Sequence, residues 1–431
     1  MAVLGAFCFP GTGHLNPMTT LARRLQERGH RVILFGIADV EQRVRNAGVE
    51  FRQIGALDYP SGTLLELDRK LGLLKGIPSF RFTIERIKKH ARMVMRDGPA
   101  AVKAAGVEAL LVDEAESAGG TVAEMLGLPF LSIACIPPLL RDYTVPPFVF
   151  GWGYNPGLRG RLRNRAGAEL LRRFGAPIFA EINAHRVRSG LPRIPRRLLG
   201  LSELARIAQM PTALEFPVAD KPIWLHYTGP FVDARVRKPI EFPWEQLNGK
   251  PLVYGSIGTL QNGAEHIFKT IAEACSTLDV QLVLSMGGGL DPADLGTLPG
   301  SPIVVRYAPQ LELLQHAAVV VTHAGLNTAL EALSEGVPMV ATPIGNDQPG
   351  VAARIAHWHA GIVVPSSKLS PARLRAAIDQ VLRDDSYRIA ALRIQRAIRQ
   401  ADGLERAADL VEQTLNLVPA EAVPYSSRTM R

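Results

Sequence analysis

Short apolar runs alternate with stretches of helical spacing along almost the whole chain, and that alternation limits the folds open to it. "AVLGAFCF" is ended by Pro10-Gly11 and reads as a fully buried strand. "LNPMTTLARRLQERGH" follows, with Leu15, Met18, Leu21, Ala22 and Leu25 at helical spacing and Gly29 closing it. "RVILFG", "ALLVD" (109–113) and "PFLSIA" read as further strands, with a helix through "GGTVAEMLG". The second half repeats the scheme: "PLVYGSIG", "VQLVLSMGG", "PIVVRYA", "AAVVVTHAG" and "VPMVATP" as strands, "AEHIFKTIAEACSTL", "PARLRAAIDQVL" and the segment after Ser386 as helices. Apolar strands separated by amphipathic helices predict parallel sheets covered on both faces.

A chain of 431 residues suits two such units of roughly 200 residues each. The polar, proline-broken "DARVRKPIEFPWEQLNGKP" (233–251) separates them. The expectation is an α/β protein of two doubly wound, Rossmann-like domains facing across a cleft: residues 1–235, a linker 236–250, and residues 251–431 carrying the terminal helices. Ligands of such sheets bind beyond the carboxyl ends of the strands.

With 47% hydrophobic and 21% charged residues, the chain has the make-up of a globular protein with a large core. No apolar run approaches the ~20 residues of a bilayer helix. "MAVLGAFCFPGTGH" lacks a basic leader and reads as a buried first strand, not a signal peptide. Cys8, Cys135 and Cys275 show no metal or redox spacing and read as small buried hydrophobes in a reducing cytoplasm. Much of the net charge of +9 sits in "LRGRLRNR" (Arg159, Arg161, Arg163, Arg165) and at Arg172 and Arg173. That pattern fits a solvated helix face or, more sharply, peripheral contact with an anionic membrane. Without aromatic interleaving or a binding module, nucleic acid is not the expected partner.

"VTHAGLNTALEALSEGVPMVATPIGNDQ" (321–348) carries the most chemistry. A strand ends at His323-Ala324-Gly325 and a helix begins near Leu326. A helix start offers free N–H groups and the positive end of the dipole, which favour a phosphate. Gly325 would let the ligand approach the backbone, and His323, Asn327 and Thr328 could reach the same anion. Glu331, one turn after Asn327, could accept hydrogen bonds from ribose hydroxyls.

The stretch "YAPQLELLQHAAVVVTHAGLNTALEALSEGVPMVATPIGNDQPGVAARI" (307–355) resembles the signature box of the family 1 UDP-dependent glycosyltransferases, its end being most similar to zeaxanthin glucosyltransferase-like and macrolide-type bacterial members. "PGTGHLNPM", "LVD", "YTGP" (227–230) and "VYGSIGT" fall where that family has its landmarks. The resemblance implies the GT-B architecture and a UDP-sugar donor, with glucose favoured by Gln348. It implies uracil stacking by Tyr307, ribose contacts from Gln310 and Glu331, and pyrophosphate contacts from His323, Asn327 and Thr328. Thr259, with Ser256 and Gly13 on the two glycine loops, would close over the donor, and Asp347 and Gln348 would read the sugar hydroxyls.

His14 and Asp113 each follow or end a strand of the first sheet. A neutral imidazole at His14 could take a proton from an acceptor hydroxyl, with the Asp113 carboxylate fixing its tautomer. Glu114 and Glu116 are the neighbouring alternatives, and the family's pattern falls on Asp113. His357 and His359 read as helix surface. No carboxylate cluster suggests a metal, and no cofactor is expected, the UDP-sugar being a substrate. The reaction implied is a single displacement with inversion. A UDP-sugar epimerase of the same fold, or a nucleotide-sugar binder without turnover, stays as an alternative; an oxidoreductase is disfavoured, since "GTGHLN" does not complete G-x-G-x-x-G.

"IPPLLRDYTVPPFVFGWGYNPGLRGRLRNR" (136–165) follows the strand that closes the first half of the sheet, and its prolines oppose a regular helix. Leu139, Phe148, Phe150 and Trp152 are the expected acceptor contacts, either as caps on the core or as a pocket for a hydrophobic hydroxylated acceptor.

Overall fold

The computed structural model describes residues 1–74, 76–140, 142–195, 199–237, 239–258, 265–287 and 291–417. Strands β1 (Val3–Phe7), β2 (Arg31–Gly36), β3 (Glu50–Gln53), β4 (Ala109–Asp113), β5 (Phe130–Ala134), β6 (Arg206–Ala208) and β7 (Leu225–Tyr227) form the first sheet. Their order is β3-β2-β1-β4-β5-β6-β7, parallel throughout. Helices α1 (Thr12–Glu27), α2 (Ala38–Asn46), α3 (Thr63–Leu73), α4 (Gly76–Ala104), α5 (Gly119–Leu126) and α6 (Leu158–Arg188) form its crossovers. Long α4 and α6 carry Pro99 and Pro177 inside them. Along α6 the proline and the glycines around it obscure the helical period, whereas α4 stays as amphipathic as the shorter helices.

The second sheet runs β10-β9-β8-β11-β12-β13, again parallel. Its strands are β8 (Leu252–Ser256), β9 (Gln281–Ser285), β10 (Ile303–Val305), β11 (Ala317–Thr322), β12 (Met339–Ala341) and β13 (Gly361–Val363). Around it lie α7 (Glu265–Cys275), α8 (Gln310–His316), α9 (Leu326–Ser334), α10 (Gln348–His357), α11 (Pro371–Arg383) and α12 (Asp385–Ala401). The strand interiors are buried on both faces, as in β4, where all five residues are inaccessible. That is why they read as continuous apolar runs and not as alternation.

Packing divides the chain differently from its order at two places. After β6 the backbone leaves the first sheet, and Met210 and Leu214 enter the core of the second domain. The last helix, α13 (Gly403–Thr414), returns the other way: Ala407, Ala408 and Val411 belong to the core of the first domain. Arg28, just past α1, pairs with Glu405 at 2.6 Å, Asp409 at 2.7 Å and Glu412 at 2.7 Å of that helix. The crossing needs two glycines. Gly229 of the "YTGP" landmark holds φ +112, and a Cβ on Gly403 would stand 2.5 Å from its carbonyl carbon.

Candidate active site

Each sheet reverses its strand order once, between β1 and β4 in the first and between β8 and β11 in the second, and crevices open at such points. The residues singled out in the sequence gather at both. Asp113 is the last residue of β4 and is fully buried. His14 lies in the first turn of α1, directly after β1, and its Nδ1 is 2.7 Å from Asp113 Oδ2. The same oxygen accepts from the Phe9 N–H at 3.2 Å, and Oδ1 accepts from Ala115 N–H at 3.2 Å. The carboxylate is therefore fixed by backbone before it meets the imidazole. Burial works to lower the His14 pKa, but the Asp113 charge and hydrogen bond, with the more distant Asp347 charge, raise it above the ordinary value. The ring is 17% exposed, enough to meet a ligand from the cleft.

The neighbouring carboxylates are otherwise engaged. Glu114 pairs with Arg206 at 2.7 Å and accepts from the Leu139 N–H at 3.1 Å. Glu116 faces His90 Nε2 at 2.7 Å and caps Ala118 N–H. Asp113 alone of the three serves His14.

In the second domain, Ser256 ends β8 in register with Thr322 of β11. The loop His323-Ala324-Gly325 then leads into α9. Ala324 holds φ +63, an uncommon conformation for a residue with a side chain. Packing gives Gly325 a reason of its own: a Cβ there would lie 2.5 Å from His323 Nε2, and one on Gly258 2.7 Å from the same atom. The two glycines make room for the histidine ring. Burial lowers the His323 pKa to about 4, against a weaker opposing hydrogen bond with Ser256.

Asn327 spans the cleft. Its amide donates to the Gly13 carbonyl at 2.9 Å, and its oxygen accepts from Gln209 at 2.9 Å. Its side chain is thus committed to joining the domains, while Thr328 stays buried in the first turn of α9. Gln310 and Glu331 come together at 2.6 Å, and Gln310 accepts from the Tyr254 hydroxyl at 3.0 Å. Glu331 also receives Arg237 from the linker, a partner that sequence reasoning missed. Only the charge in "ARVR" hinted at it. Tyr307, between β10 and α8, is 49% exposed.

Asp347 stands at the N-cap position of α10 with its carboxylate not engaged in the cap, and it and His14 feel each other's charge across the cleft. Burial pushes the Asp347 carboxyl above its usual range, with His14 opposing. Gln348, buried at the start of α10, accepts from Ile344 N–H at 2.8 Å and Gly345 N–H at 3.0 Å, so its side chain is held by the loop before the helix. Thr259 lies outside the described residues.

The acceptor-side aromatics divide. Phe150 and Trp152 stack at 4.2 Å and pack on Gly167 of α6, with Arg163 5.0 Å over the indole. They lie against the side of the helix. Phe148 meets α10 through its backbone: a Cβ on Gly350 would stand 2.1 Å from its carbonyl oxygen. Leu139 is held beside the dyad strand, its N–H by Glu114 and its carbonyl by Arg206 at 3.1 Å. Both histidines read as helix surface are exposed, but only His357 is on a helix, where it packs edge-on against Phe216 at 5.1 Å; His359 lies in the turn beyond α10 at φ +57 and stacks on Tyr387 at 4.2 Å.

Known proteins agree with this architecture. Residues 214–412 match the family described as UDP-glucoronosyl and UDP-glucosyl transferase, and residues 9–142 the glycosyltransferase family 28 N-terminal domain. The chain is 32% identical to the zeaxanthin glucosyltransferase of Pantoea ananas, covering 96% of each protein. It is likewise 32% identical to the zeaxanthin glucosyltransferase of Pseudescherichia vulneris, over 94% of this chain and 96% of that one. The solved calicheamicin glycosyltransferase CalG4 superposes with a TM-score of 0.74 at 22% identity, over 97% of this chain and 98% of that one. Two facing Rossmann-like domains, with the sequence likeness running through both, make this chain a GT-B enzyme of the UDP-glucoronosyl and UDP-glucosyl transferase family, which moves a sugar from a nucleotide-sugar to a small-molecule acceptor.

Proposed function

We propose that the protein transfers glucose from UDP-glucose, with inversion, to a hydroxyl of a hydrophobic acceptor. The observation that carries this reading is the His14–Asp113 pair at 2.7 Å, open to the cleft and within the electrostatic reach of Asp347. With Nδ1–H donating to the carboxylate, the Nε2 lone pair is free to take the acceptor proton as the oxygen attacks the anomeric carbon. The anomeric carbon–oxygen bond to the diphosphate breaks on the opposite face, which gives a β-glycoside from an α-linked donor. Asp113 stabilises the imidazolium so formed. The α9 start and His323 would hold the departing diphosphate, Tyr307 would stack on uracil, Gln310 and Glu331 would grip the ribose, and Asp347 and Gln348 the sugar. The relatives' named acceptor, zeaxanthin, supports a hydrophobic alcohol.

The test is UDP release and product analysis with UDP-glucose and a panel of xanthophylls, flavonoids and free sugars. His14→Ala should lose transfer by about 10²- to 10⁴-fold with UDP affinity nearly unchanged. Asp113→Asn should be slowed for want of orientation. An α-linked product, full activity in His14→Ala, or faster turnover of free sugars overturns the reading.

A peripheral lipid contact belongs to the same proposal. Helix α6 exposes Leu158 and Leu162 beside Arg159, Arg161 and Arg165, a pairing that suits an anionic surface. Cosedimentation with phosphatidylglycerol vesicles at low salt, lost at high salt and in Leu162→Glu, is the expected outcome; no binding at low salt removes it.

A further inference from the structure

The three thiols are far apart in sequence, but the fold brings two of them to the dyad. His14, Asp113 and Cys135 each offer a ligand atom, and these atoms lie within 4.8 Å of one another. Cys8, the residue after β1, has its Sγ 3.9 Å from Asp113 Oδ2, the same oxygen that meets His14 Nδ1. Cys135, the residue after β5, has its Sγ 3.7 Å from the His14 carbonyl oxygen. Small buried hydrophobes would account for the burial of these cysteines. That reading does not account for two of them placed against one carboxylate, at the carboxyl ends of the strands on either side of β4.

One imidazole, one carboxylate and two sulfurs are a donor set that suits zinc. Bonds of about 2.0–2.3 Å in a tetrahedron put ligand atoms roughly 3.3–3.8 Å apart, so the dyad must open slightly and the sulfurs close in. The thiols are 6% and 1% exposed, whereas the His14 side chain is 17% exposed, so an ion would enter from the cleft past the imidazole.

We propose that His14, Asp113 and Cys135, with Cys8 as fourth donor, form a site for a thiophilic divalent cation such as zinc, whose binding switches the proton-accepting histidine off. Coordination replaces each ligating thiol's S–H bond with a sulfur–metal bond and releases that proton to solvent. It also takes the Nδ1 lone pair, so the hydrogen bond to Asp113 is lost. A neutral imidazole bound through Nδ1 must carry its proton on Nε2, and no lone pair is left for the acceptor hydroxyl. The inhibition rests on the role proposed for His14; the coordination does not.

The experiment uses the full-length, metal-free protein and cobalt(II) as probe. Cobalt should give a near-ultraviolet thiolate-to-metal band that zinc abolishes by displacement and that Cys135→Ala and His14→Gln each lose or weaken. Cys135→Ser, close in volume to the wild type and also without a thiolate, replaces the alanine variant should that fail to fold. In the transfer assay, zinc should inhibit reversibly and a chelator restore activity. Cys135→Ala should raise the half-inhibiting zinc concentration by at least about tenfold, the loss that even an outer partner of a metal ligand causes. No thiolate band in the wild type, or a band that survives Cys135→Ala unchanged, overturns the site. A cobalt-binding wild type whose transfer zinc leaves untouched overturns the switch, and with it the role of His14 rather than the coordination.

Discussion

His323 stands between Gly258 and Gly325 because nothing larger than hydrogen fits against its ring. With a pKa near 4, the imidazole is neutral at ordinary pH, so its help to a diphosphate is that of a neutral donor. Such a contact is worth about 0.5–1.5 kcal/mol, less than a charged one. The same depression links it to stability. An unfolded chain binds a proton at His323 near pH 6.5, the folded one only near 4. Folding is therefore penalised as pH falls through that window, and the contribution is complete above it. His323→Gln should lose less stability between pH 7 and 5 than the wild type, read as urea midpoints; equal losses would dismiss this assignment. That His14 and Asp113 meet was legible in the sequence because Asp113 ends a strand, His14 follows the first strand through a glycine loop, and the resemblance of the signature box turned attention to both. Arg237, Gln209 and the thiols beside Asp113 were not, since each meets its partner through tertiary packing that no local spacing encodes.

At the level of elements, the helix that begins at Gln348, directly after Asp347, is pinned by the segment that follows β6 into the second core. Arg354 of α10, fully buried, reaches Glu215 at 2.7 Å and the Gly350 carbonyl at 3.0 Å, with Phe216 4.7 Å beneath its guanidinium. Trp358 donates to the Glu215 carbonyl at 3.0 Å, and Tyr227 to its carboxylate at 3.0 Å. Removing one partner leaves the other charge buried, which costs about 3–5 kcal/mol. Arg354→Met should lower the unfolding free energy by that order and raise the donor KM more than it lowers kcat, since α10 positions the sugar-reading pair. A stable variant with an unchanged donor KM would show that the pin does not matter. The alternation of strand and helix announced both sheets, because buried parallel strands leave apolar runs of unmistakable length. The excursion through Met210 and Leu214 did not announce itself, for an apolar residue does not say which core it joins.

For the molecule as a whole, the return of α13 to the first domain decides how the two halves depend on each other. A chain ended after Ala401 loses Ala407, Ala408 and Val411 from the first core, together with the carboxylates that surround Arg28. It should show early proteolytic cuts in residues 1–235 while the second sheet persists; a cut pattern like that of the full chain would refute this. Synthesis adds a consequence. Domains usually fold as they leave the ribosome, first domain first. Here the first domain cannot complete its core until α13 has emerged, so α1 waits, partly bare, through the making of the second sheet and its helices. A nascent chain paused before Gly403 is the form of this protein that most needs a chaperone.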